Sequence, residues 1–194
     1  MTRRNKDLLL VALGLIMAAA GLFLHLTEQQ QEQLAGENAA LLLEAVSQQL
    51  PAAPAEPLPD EKPEDEPQSL TVMGYDVLGT LRIPSVDIDL PVLNEWSYDL
   101  LTVAPCRYSG SIETGDLVIL GHSYRTHLRP LRQVQLGDSV ELTDAAGTVH
   151  RYVVAETEIL RGSDGSLLPS GYPLTIFTCT AGSKHRFLAR CAEA

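Results

Sequence analysis

The sequence predicts an all-β domain of about eight strands with few, short helices, a small barrel or sandwich set behind one apolar N-terminal helix. Three observations carry this. From about residue 69 the apolar residues fall into short runs, alternating or continuous, punctuated by Gly, Pro, Asp and Ser. Residues 8–26 (LLLVALGLIMAAAGLFLHL) hold no formal charge, and His25 is their one polar side chain. Residues 51–68 (PAAPAEPLPDEKPEDEPQ) carry six prolines and six acids and cannot bury a core.

The apolar stretch has the length of a hydrocarbon core of about 30 Å at about 1.5 Å per helical residue. Arg3, Arg4 and Lys6 precede it, so residues 1–7 are expected in the cytoplasm and everything after Thr27 outside. It exceeds a usual signal-peptide core, and no small-x-small cleavage site follows, so it reads as an uncleaved anchor over residues 8–26. Residues 27–50 (TEQQQEQLAGENAALLLEAVSQQL) are expected to prolong it as an exposed helical stalk, weakened at Gly36 and Asn38. Residues 51–68 then read as an extended linker, and residues 69–194 as the working domain.

The formal net charge is −11, but residues 27–68 hold ten acids against Lys62 alone. Most of the acidity therefore lies outside the predicted domain, and it argues against nucleic acid as a partner. Three cysteines are too few for a disulfide scaffold, and their odd number leaves at least one thiol unpaired within the chain.

The strand expectations run in order. Residues 78–93 (LGTLRIPSVDIDLPVL) form two alternating runs broken at Pro84 and Ser85. Residues 116–120 (DLVIL) form a buried run ending in Gly121 and His122. Residues 136–143 give a turn and a strand, and residues 148–160 a long strand after the turn at 144–147. Residues 174–178 and 185–191 complete the set, with short helices expected around 97–103 and 127–134.

Cys179 closes the run LTIFTC at a strand tip, where a thiol either packs as a small hydrophobe or acts as a nucleophile. His122 follows Gly121 at the end of another buried-looking run, and histidine is the usual base or cationic partner for a cysteine. His127 is a rival that reads as the start of a surface helix; His150 and His185 read as solvent-facing. Arg186 follows Cys179 by seven residues across the turn TAGSKH, a hairpin spacing that returns it alongside the thiol. A guanidinium there can hold a thiolate or a developing oxyanion. Arg190 is expected on the same face, displaced along the strand, and the competing reading makes both arginines exposed charges of an edge strand. Cys106 reads as a loop residue; it and Cys191 either pair with each other or stay free. No Cys/His metal spacing, phosphate-cradling loop or nucleotide fingerprint is present, so neither a metal nor a cofactor is expected.

Together these stretches resemble the sortase family. LTIFTC, ending in Thr178 and Cys179, is similar to the family's TLxTC signature, although the first position is matched only with Pro173 in place of the Thr or in a shifted register. LVILGHS resembles its strand ending in Gly-His, HRFLARC its arginine strand, and LGTLRIPSVDIDLPVL and LRPLRQVQLGDSVEL its opening strand pair and its helix with a "GD" turn. The resemblance covers residues 75–191, and the short loop from Cys179 to Arg186 looks like that of a small class B or class D member.

The resemblance implies a closed β-barrel and a membrane-anchored cysteine transpeptidase with His122, Cys179 and Arg186 as its catalytic residues. It implies an LPxTG-like sorting signal on secreted proteins as substrate and an amine of cell wall or pilin as acceptor. Two other readings of the residues stay open here: an extracellular cysteine hydrolase with the same His/Cys pair, and a non-catalytic β-barrel binding module.

Overall fold

A computed structural model of the chain describes residues 3–50, 69–161, 171–180 and 185–194. The acidic linker expected at 51–68 and most of the turn between Cys179 and Arg186 lie outside the described residues. Helix α1 runs Arg3–Gln49 and crosses two units, Met1–Leu34 and Ala35–Ala194.

In the first unit the helix turns its apolar side chains outward. Leu13, Ile16, Met17, Phe23 and Leu24 are all more than half exposed. Together with its neighbours this makes a helix long and apolar enough to cross a membrane.

The second unit is all β. Its strands are β1 (Leu70–Val72), β2 (Tyr75–Ile83), β3 (Ile88–Leu93), β4 (Cys106–Ser109), β5 (Leu117–Gly121), β6 (Ser139–Asp144), β7 (Val149–Arg161), β8 (Leu174–Cys179) and β9 (His185–Glu193). They are hydrogen-bonded in the order β1-β2-β3-β4-β5-β8-β9-β7-β6, and β6 pairs back onto β2. Eight strands thus close a barrel and β1 is an addition at its side, which removes exposed ladder edges from the eight. Closure brings Gly79 against Asp144 in the β2–β6 ladder. A Cβ at Gly79 would fall inside the carbonyl of Thr143, so this seam requires glycine.

The expected helices are single 3-10 turns, Leu100–Thr102 and Pro130–Gln133, and a third turn, Pro84–Val86, makes the predicted break between β2 and β3. Pro84 and Pro130 open their turns, where a missing N–H costs nothing.

Alternation sorts the strand residues into two buried clusters. Leu81, Ile83, Leu90, Ile119, Leu142, Val154, Leu174, Ile176 and Ala189 fill the barrel. Val118 and Leu120 of β5, Phe177 of β8 and Leu188 of β9 point to the opposite face and form a second cluster. Leu42 and Val46 of α1 belong to that outer cluster.

The helix continues through the segment expected as a stalk, but from Ala35 onward one of its faces is buried rather than exposed. Ala35, Ala39, Leu42 and Val46 recur at helical spacing and are almost completely buried. The folded unit therefore begins at Ala35, inside the helix.

Candidate active site

The central strands deliver three residues to one row. β5 and β8 run parallel with Gly121 opposite Thr178, so the next residues, His122 and Cys179, leave the two strand ends together. β8 and β9 run antiparallel with Cys179 directly opposite Arg186. β9 and β7 continue the row, Arg186 opposite Leu160. Phe177, Cys179 and Arg186 share the outer face because side chains two apart along a strand point the same way.

The strand ends are pinned. Thr178 Oγ1 donates to the Gly121 carbonyl at 2.8 Å in a fully buried bond, one residue from both Cys179 and His122. Gly121 must also lie close to its cover: a Cβ there would come 2.6 Å from Leu128 Cδ1. Beyond His122 the chain turns back, with the Leu128 N–H donating to the His122 carbonyl at 3.1 Å.

Arg186 Nη1 donates to Cys179 Sγ across 3.9 Å, and its guanidinium carbon lies 5.5 Å from the centre of the Phe177 ring. The Phe177 face attracts the cation and holds its plane beside the thiol. Tyr108 meets Phe177 edge-on at 5.4 Å, and Trp96 lies 5.4 Å beyond Tyr108. Among the described residues Arg186 has no carboxylate partner, and its Nε is buried without a hydrogen bond. That leaves unused donor capacity on the guanidinium that lies beside the thiol.

Arg190 differs. It pairs with Glu156 at 3.0 Å and Glu158 at 2.8 Å, and its side chain is 15% exposed. β9 lies between β8 and β7, so the alternative of an edge strand with wet arginines is excluded. Arg190 ties β9 to β7 while Arg186 stays available at the strand end.

Cys179 is half-buried at the tip of β8, whose preceding five residues are buried. His122 is half-buried, and burial holds its imidazole below its ordinary pKa of 6.5. The other cysteines have no comparable setting. Cys106 lies on β4, not in a loop, and belongs to the outer cluster, whereas Cys191 belongs to the barrel interior. Both are free thiols, so the pairing left open by the sequence does not occur. Burial pushes each up to about 12, which keeps them protonated.

The remaining histidines stand apart from the row. His150 bonds Asp144 at 2.7 Å, at the opposite end of β7 from Leu160. His185 immediately precedes Arg186 on β9 and so faces the other way. His127 is not a surface residue: it is 1% exposed, and its Nε2–H donates to the Ala35 carbonyl of α1 at 3.3 Å. Sequence reasoning missed this burial, and it missed the aromatic chain from Trp96 to Phe177. The aromatics lie on separate strands and loops, and no spacing in the chain joins them. Among the described residues no group of three metal-ligating side chains converges.

The arrangement can do cysteine chemistry: a half-exposed thiol, an imidazole leaving the adjacent strand end, and a guanidinium on the cross-strand partner. The family model for the sortase domain matches residues 81–194, more than half of the chain. The chain belongs to the sortase family of cysteine transpeptidases, and its closed barrel is that family's fold.

Solved structures agree in architecture. Listeria monocytogenes sortase A matches with a TM-score of 0.54 at 23% identity, over 61% of this chain and 87% of that one. A Clostridium perfringens sortase D5 transpeptidase matches with a TM-score of 0.54 at 19% identity, over 61% and 79%. Sortase C from Clostridium perfringens SM101 matches with a TM-score of 0.52 at 17% identity, over 85% and 90%. These neighbours span classes A, D and C, and at such identities the likeness establishes the fold without dividing the classes. No curated protein matches the chain.

Proposed function

We propose that this protein is a membrane-anchored transpeptidase that cleaves an LPxTG-like sorting signal and joins the new carboxyl end to an amine of cell wall or pilin. The observation that carries the reading is the single row in which His122, Cys179 and Arg186 leave three neighbouring strands.

Each residue has a role that its position supports. The Cys179 thiolate attacks the scissile carbonyl carbon, forming a C–S bond while the carbonyl electrons move to oxygen. Arg186 donates to that oxygen, and its forked N–H groups also hold the peptide backbone. The tetrahedral intermediate collapses, and the C–N bond breaks as the His122 imidazolium protonates the departing amine. A thioester on Cys179 remains. The acceptor amine then enters, gives a proton to the now neutral His122 and expels the thiolate. The two half-reactions give ping-pong kinetics.

Burial of His122 disfavours the imidazolium and so makes it a readier proton donor to the departing amine. No step needs a metal. The apolar first unit of α1 serves as the anchor, with the N-terminus in the cytoplasm and the barrel outside, where secreted proteins and wall amines meet it.

The test is amine dependence. The full chain is incubated with LPxTG-like peptides, with and without triglycine, and products are read by mass spectrometry. Transfer to triglycine that disappears in Cys179→Ala supports the proposal. Cleavage to the free acid at equal rate with and without amine points to a hydrolase. Unimpaired action by Cys179→Ala removes Cys179 from the chemistry.

A further inference from the structure

We propose that Tyr124 is a positioning residue for His122, held in place by His127 and, through it, by the helix segment that begins at Ala35. The inference rests on His122 acting in catalysis as proposed above.

Three rings are in contact in sequence, each tilted against the next. The His122 and Tyr124 rings lie 4.8 Å apart at 35°, and the Tyr124 and His127 rings 5.5 Å apart at 55°. Tyr124 thus packs, tilted, against the imidazole that must deliver a proton along a fixed line. An imidazole leaving a strand end has free rotation about two side-chain bonds unless something packs against it. A flat aromatic neighbour restricts that rotation without taking either ring nitrogen, which leaves both for proton transfer.

The far end of this series is fixed. His127 is buried and its Nε2–H is bonded to the Ala35 carbonyl. The loop that carries Tyr124 is closed on itself: the His127 and Arg129 N–H groups both donate to the Tyr124 carbonyl, at 3.1 and 3.0 Å. Helix α1 comes close enough to support it because residue 36 is glycine, since a Cβ there would sit 2.7 Å from Thr126 Cγ2. Gly36, which weakens the helix, is the residue that admits the loop. The path from Ala35 through His127 and Tyr124 to His122 links the docked helix to the site by contacts alone.

The test uses the full chain. In the wild type, nuclear Overhauser effects between His122 and Tyr124 ring protons are expected, and their absence overturns the placement without any variant. Tyr124→Leu and Tyr124→Phe are then compared for the rate at which iodoacetamide alkylates Cys179 and, with an LPxTG-like peptide and triglycine, for kcat and KM. We expect Tyr124→Leu to lower alkylation and kcat about tenfold with KM little changed, and Tyr124→Phe to restore both. Wild-type rates in a folded Tyr124→Leu protein, or no rescue by Phe, overturn the proposal. His122→Ala separates the two levels. If it leaves alkylation and turnover unchanged, the catalytic reading of His122 has failed; if it lowers them and Tyr124→Leu does not, positioning alone has failed.

Discussion

Thr178 and Gly121 are joined by a buried hydrogen bond, hydroxyl to carbonyl, at 2.8 Å. Each immediately precedes a proposed catalytic residue, so this bond reinforces the β5–β8 ladder where it ends, next to Cys179 and His122. Thr178→Val keeps the shape and removes the donor, leaving a buried carbonyl short of one partner. The expected cost is about 1–2 kcal/mol in urea unfolding. Turnover should fall more than stability implies, about tenfold or beyond, because the strand ends lose their register. Equal activity with equal stability would mean that the ladder alone fixes the site.

Arg186 and Arg190 share a strand face and should separate in a stability and activity screen. Arg186→Lys keeps the charge but loses the fork, and turnover is expected to fall about 100-fold or more with an unchanged melting temperature. Arg190→Ala breaks both carboxylate pairs and should destabilise the barrel by about 1–3 kcal/mol. Near-normal turnover of Arg186→Lys removes Arg186 from the site.

The three thiols should react in a fixed order. Cys179 is half-buried, whereas Cys106 and Cys191 are fully buried and held at about 12. Alkylation of the native protein at pH 7.5, followed by digestion and mass spectrometry, should modify Cys179 alone until the protein is unfolded. Cys106→Ser should keep its activity where it folds and lose about 1–3 kcal/mol from a buried hydroxyl.

His122 sets a pH window. Burial holds its folded-state pKa below 6.5, so on acidification the unfolded chain takes up its proton first. Stability should therefore drop as pH falls from about 6.5 toward the folded-state value, and the drop should shrink in His122→Gln. The depressed carboxyls Asp116 and Asp138 titrate below 3.8 and do not overlap this window. Urea midpoints at pH 7.5 and 5.5 for both proteins check this; an equal loss in each contradicts the burial of His122.

The helix beyond Ala35 belongs to the fold. A chain beginning at Ser69 lacks Leu42 and Val46, which sit in the outer cluster with Phe177. It should bind a hydrophobic dye and melt well below a chain that begins at Ala35. Leu42→Ala in the full chain should cost about 2–5 kcal/mol. A stable, dye-silent chain from Ser69 would show the docking to be dispensable.

Most of the strands were legible because alternation and turn residues are local signals. The runs around Leu81, Ile119, Leu142 and Ile176 each became a strand. The juxtaposition of Cys179 with Arg186 was legible from hairpin spacing, and that of His122 from the family resemblance. Barrel closure was not legible from the residues alone, since the pairing of Gly79 with Asp144 joins strands far apart in the chain. The docking of α1 was hidden because its stripe uses small alanines within a glutamine-rich segment. His127 looked like a surface residue because its acceptor, Ala35, lies 92 positions earlier. Long-range partners decide such cases, and a single sequence does not display them.

Acyl transfer is proposed to run through Cys179. The most direct measurement is the mass of the Cys179-containing peptide after the full chain meets an LPxTG-like substrate and is quenched in acid, before and after adding triglycine. A thioester on Cys179 that triglycine discharges into a new amide is expected, and no adduct in Cys179→Ala. Substrate cleavage with Cys179 unmodified, or an adduct on another residue, would contradict the proposal.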